Sequence, residues 1–193
     1  MSSGSGYSLI LLATIIGTAA LSGRSFTVKN IRFIFWLSVA GTFIWLSIVS
    51  AFQYFVWREG GLSARLLPPY QSIGYFFTYA GWRFFAPYVL SFAIGMLFFF
   101  LAKKYNKRHG GQFFYNEELY FIALSVFLSG HPLWLLQMLI VLLSMLVITA
   151  YRRLILKNTE KFSMHELWLP SSMFAILISK WLSNFAWFLS LKV

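Results

Sequence analysis

Long apolar runs, broken by short charged or Gly/Pro-rich pieces, set the pattern of this chain. Judged against the roughly 20 residues a helix needs to cross hydrocarbon, the runs define about six spans. They fall at 7–22, 31–56, 82–102, 113–129, 133–151 and 167–190. The first and fourth are short, and the second is long enough to demand a tilt. Gly60-Gly61 and Pro68-Pro69 separate spans two and three. The irregular mixture of aromatics, Gly and Ser over 69–81 suits an interfacial or partly re-entrant segment. The pattern therefore predicts an all-α fold, a polytopic helical transmembrane bundle forming one domain over 1–193.

Composition fixes the environment. Hydrophobic residues make up 59% of the 193, aromatics 21% and charged residues only 11%, which is incompatible with an ordinary soluble surface. The basic residues sort by connection. The loops after spans one, three and five carry Arg24, Lys29 and Arg32, then Lys103, Lys104, Lys107 and Arg108, then Arg152, Arg153, Lys157 and Lys161. The alternate connections and the tail carry Arg58, Arg65 and Lys192, so the bias is eleven against three. By the positive-inside tendency, both termini are expected outside and the basic loops in the cytoplasm, which implies a cell (inner) membrane. The expected contacts of this charge are anionic headgroups rather than nucleic acid, since no soluble module gathers it. The absence of cysteine excludes disulfides, thiolate metal sites, cysteine nucleophiles and S-palmitoylation. No Lys or Arg precedes the first apolar run, so Ser8 to Leu21 reads as a retained helix rather than a secretory signal. Trp36, Trp57, Trp82, Trp134, Trp168 and Trp187 fall near span ends, where indoles sit at headgroup depth or serve as packing residues. Ala13 with Gly17, and Ser91 with Gly95, are small pairs four apart that permit close helix approach in lipid.

Chemistry concentrates in a few ionisable and polar positions. Glu117 and Glu118 sit inside the apolar run 112–129, and carboxylates are costly there. On a helix, Glu118, Ser125 and Ser129 share one stripe with Ile122, while Glu117 turns about 100° away with Tyr120 and Leu124. Glu118 is thus expected to face the bundle and Glu117 the interface or a neighbour. Alternatively, the helix starts only at Glu117, and both acids form a solvated first turn that favours the dipole. A second cluster, Ser163-Met164-His165-Glu166, opens span six from the same side, and Ser163 with Glu166 also reads as a capping box. Together Glu117, Glu118, His165 and Glu166 would offer a shared proton or a hard-cation site. Their spacing matches no metal signature, so neither metal nor cofactor is expected. Lys180 lies deep in span six, placed to snorkel or to line a wet cavity. Gln137, Ser144 and Tyr151 form a candidate inward polar stripe on span five. His131-Pro132 reads as the turn between spans four and five. No nucleophile–base pair, phosphate loop or cofactor fingerprint appears.

Tyr115-Asn116-Glu117-Glu118 opens a short helix, Phe127-Leu128-Ser129-Gly130 closes it, and Trp168-Leu169-Pro170 follows a hairpin and a basic loop. This order resembles the transmembrane core of type IV prepilin peptidases, membrane aspartyl proteases that cut leader peptides at the cytoplasmic face. The likeness runs across all six spans and is densest over 113–150. Val28-Lys29-Asn30, within Ser22 to Phe35, stands where that family places its first aspartate and the following Ile-Pro-Asn. The resemblance puts Glu118 or Glu117 at the second aspartate, but the chain has no Asp and no acid before Glu59. A dyad needs two carboxyl groups with pKa values pushed apart. Unless Glu166 substitutes from another helix, none forms, so the resemblance implies a degenerate, non-hydrolytic relative acting as a binding or assembly component. Its partners would be other membrane proteins or pilus and secretion components. The competing expectations are a proton or small-solute path lined by Glu118, Lys180 and the polar stripes, an accessory subunit of a larger membrane complex, and a glutamate-based intramembrane peptidase. Catalytic candidates are Glu118, Glu117 and Glu166; binding candidates are Glu118, His165, Glu166, Lys180, Ser125 and Gln137.

Overall fold

The computed structural model describes residues 3–22, 24–110, 114–155, 157, 165–186 and 188. Among these every regular element is a helix, including a short 3-10 helix at Ser63–Leu66, and no strand is present. Six helices follow in order: α1 (Ser3–Ser22), α2 (Arg24–Glu59), α3 (Ile73–Arg108), α4 (Asn116–Ser129), α5 (Leu133–Leu154) and α6 (His165–Leu182). Three contain stretches long and apolar enough to cross a membrane: Lys29–Glu59, Ile73–Arg108 and Leu133–Leu154. Ser5–Ala19 and Leu167–Leu182 are shorter apolar helices. At 14 residues, α4 is only about 21 Å long, less than the roughly 30 Å of hydrocarbon.

That short helix is the hub. Every residue from Phe121 to Gly130 is buried, as a helix apolar on all sides must be. It packs against α3, α6, α2, α5 and α1. Around it, α3 meets α2, α2 meets α1, α1 meets α6 and α6 meets α5, but α5 and α3 form no extended contact. The ring of five is thus open on one side. Phe127 anchors the centre, its ring centroid 6.2, 6.0 and 5.9 Å from those of Phe43, Tyr88 and Phe92.

In lipid, apolar burial gives little net drive, because the tails are as apolar as the side chains; close packing decides association instead. Gly95 on α3 illustrates this, since a Cβ there would lie 3.0 Å from the Ala123 carbonyl oxygen of α4. Ser91, one turn earlier, is fully buried. The other small pair, Ala13 and Gly17, does not act this way: Ala13 is exposed and nothing approaches Gly17 within 4 Å. Gly130 ends α4 at φ +72°, a left-handed value that favours glycine. His131 and Pro132 form the turn into α5. The outward faces are strongly apolar, for example Phe33, Leu37, Ile44, Ile48, Phe52 and Phe55 on α2. A water-soluble monomer does not present such a surface, and the chain is a membrane protein.

Several sequence-derived boundaries are corrected. The segment at 69–81 is not separate, because Ile73–Ala80 continues through a π-helical turn, Gly81–Phe85, into Ala86–Arg108. Gly81 opens the π turn, whose wider bonding keeps the backbone satisfied within the helix. The fourth span begins at Asn116 rather than 113; in the sixth, the helix His165–Leu182 is followed by a turn at residues 183–184, and residues 189–190 of the expected span lie outside the described residues. Trp57 and Trp168 are buried packing residues, whereas Trp36 and Trp82 are exposed; Trp187 lies outside the described residues.

Candidate functional site

The start of α4 is held by two side chains acting on consecutive residues. Asn106, buried near the end of α3, donates from Nδ2 to the Phe114 carbonyl at 2.7 Å and accepts the Phe114 N–H at Oδ1, 3.1 Å. Tyr115, extended at φ −71° and ψ 151°, then donates its N–H to Oε2 of Glu118 at 3.1 Å, while the Glu118 N–H donates to the Tyr115 carbonyl at 3.0 Å. Glu118 is only 4% exposed. Its carboxylate therefore closes the first turn, in the reciprocal manner of a capping box, at the positive end of the helix dipole. Both acids lie in the first turn, since α4 starts at Asn116, but Glu118 is buried rather than solvated, as the inward-facing reading expects. Glu117 is half-buried.

About two turns further on, Ser125 joins three helices. Its Oγ donates to the Ile122 carbonyl at 2.9 Å and accepts from Nε2 of Gln137 on α5 at 3.1 Å. Its carbonyl accepts from Ser129 Oγ at 2.7 Å and from Ser172 Oγ of α6 at 3.2 Å. Gln137 is fully buried, and its Oε1 finds no partner among the described residues. The same holds for Ser91 Oγ and the indole N–H of Trp168. Other hydroxyls in the apolar helices bond back to the preceding turn, as in Thr42 to Ser38 and Ser50 to Leu46, both at 2.8 Å. Back-bonding of this kind satisfies a hydroxyl in lipid without water.

The remaining candidates do not gather at this place. The backbone of His165 and Glu166 forms the first turn of α6, but their side chains, like Ser163, lie outside the described residues. Lys180 is exposed, about 22 Å along α6 from its first turn. The α5 stripe is corrected: Gln137 faces inward, Ser144 is half-buried and Tyr151 is exposed. The inward face of α5 is instead Leu133, Gln137 and Val141, because a seven-residue repeat drifts around a straight helix. Among the described residues no three His, Asp or Glu side chains are grouped to hold a metal. His131 accepts from Trp134 Nε1 at 3.2 Å, and its own N–H donates to the Pro87 carbonyl at 3.3 Å; both are turn-stabilising bonds.

Sequence reading missed Asn106, Ser172 and the Ser8–Tyr88 hydroxyl pair, 3.0 Å apart between α1 and α3. Asn106 stands among lysines and arginine, where a solvated loop was the natural expectation. Nothing local in the sequence distinguishes the other two from any serine or tyrosine in an apolar helix. The fold and these contacts define a helical membrane protein with a polar knot at its centre. No family model, no curated protein and no solved structure matches the chain.

Proposed function

We propose that this chain is a non-hydrolytic, prepilin-peptidase-like membrane component that binds or helps to assemble other membrane or secretion proteins. One observation carries the reading. The acid standing where the resemblance places the second catalytic aspartate, Glu118, is buried and bonded to the Tyr115 backbone, and no acid precedes Glu59 to complete a dyad. A carboxylate committed to a cap is poorly placed to activate water. In this proposal the chain crosses an inner membrane six times, with its termini outside and its basic connections in the cytoplasm. Thr42, Ser47 and Ser50 of α2 and Ser125 and Ser129 of α4 bond to carbonyls of their own helices, which favours a packed scaffold over a water-lined path.

The test is to reconstitute the full chain with a leader-bearing pilin-type substrate. Co-purification without cleavage is expected. Leader cleavage that Glu118→Gln abolishes would overturn the proposal in favour of a glutamate peptidase.

A further inference from the structure

The open side of the helix ring is a groove of about 860 Å³ between α3 and α5. Its walls are Phe98, Leu101 and Ala102 on one side and Met138, Leu142 and Met145 on the other. Ile122 of α4 and Trp168 of α6 are also among its lining residues. Phe98 and Trp134 meet at one end, 6.2 Å between ring centroids. At the other end are Lys104 and Arg108, four residues apart and hence on the same face of α3. Both are exposed, and neither is ion-paired among the described residues.

We infer that this groove binds one anionic phospholipid, with its phosphate at Lys104 and Arg108 and an acyl chain lying between α3 and α5. Three features converge on that occupant. From Trp134 to Met145 the apolar wall supplied by α5 is about 16 Å long, close to half of a roughly 30 Å hydrocarbon core and so the depth of one leaflet. Charge is confined to one end of an otherwise apolar trough, matching an amphiphile with its anion at one end. Finally, Trp168 lines the groove three residues into α6, and an indole ring so close to the start of a membrane helix suits the headgroup boundary of a lipid; its N–H is enclosed by protein and does not face the groove.

The inference is independent of the assembly role above. The test uses the full chain in mild detergent, with native mass spectrometry after titration of phosphatidylglycerol or phosphatidylcholine. Phosphatidylglycerol is expected to be retained preferentially. The Lys104→Gln/Arg108→Gln double variant should lose roughly thirtyfold in apparent affinity, as removal of two cationic contacts at a membrane surface implies. A second variant, Met138→Trp, fills the trough without touching the charges and should lower retention of both lipids. Unchanged melting of each variant would confirm that folding is intact. Equal retention of the two lipids, or indifference to the double variant, would overturn the inference. So would displacement of phosphatidylglycerol by millimolar inorganic phosphate alone, because the site would then recognise the anion and not the lipid.

Discussion

Glu118 and Gln137 are both polar residues sealed inside the bundle, yet they should respond to substitution in different ways. Glu118→Ala removes the acceptor of the Tyr115 N–H and is expected to cost about 1 kcal/mol, the usual worth of an N-terminal cap. Glu118→Gln keeps an acceptor oxygen and should cost less; unfolding in detergent titrated with SDS would rank the two. At the knot, Gln137→Leu loses one bond but also deletes an orphan carbonyl, so its net effect should stay within about 1 kcal/mol. Ser125→Ala leaves the Gln137 amide with no partner at either end, and a cost of about 1–3 kcal/mol is expected. The double variant should then recover part of that loss, which a double-mutant cycle measures. The burial of Glu118 was legible from the four-three-four spacing of its stripe. Its bond to Tyr115 was not legible, since it depends on where the helix starts, and Asn106 on another helix fixes that start.

The helices themselves depend on close approach. Gly95→Ala places a methyl 3.0 Å from the Ala123 carbonyl. It should destabilise the α3–α4 contact by about 1–3 kcal/mol, the common cost of overpacking. Ser91→Ala, in contrast, removes a hydroxyl with no partner among the described residues and should be nearly neutral; thermal melting of both variants decides the matter. Helix existence was legible from apolar runs alone, because lipid leaves the backbone few other ways to satisfy its polar groups. Boundaries were less legible. Pro68-Pro69 does interrupt the helices, but the glycines of 74–81 also read as interruption, and there the chain absorbs Gly81 in a π turn and continues. Ser91 with Gly95 was a usable packing signal and Ala13 with Gly17 was not, since small pairs promise contact only where another helix is present to make it.

The arrangement that results is a short buried helix ringed by five longer ones and open along one seam. Neither the hub role of α4 nor the seam could be read from the sequence, because both depend on which helices neighbour each other. Sidedness was predicted from the sorting of Lys and Arg, and it underlies both the proposed cytoplasmic connections and the leaflet in which the lipid would sit. The lack of native cysteine makes the decisive measurement clean. Single cysteines at Arg65→Cys, Lys107→Cys and Lys157→Cys, all at exposed positions, would be probed with a membrane-impermeant maleimide in intact cells and in inverted vesicles. Labelling of Arg65→Cys in cells only, with Lys107→Cys and Lys157→Cys reactive in inverted vesicles only, is the expected result. Labelling of positions 107 and 157 from opposite faces would contradict a bundle whose basic connections share one compartment.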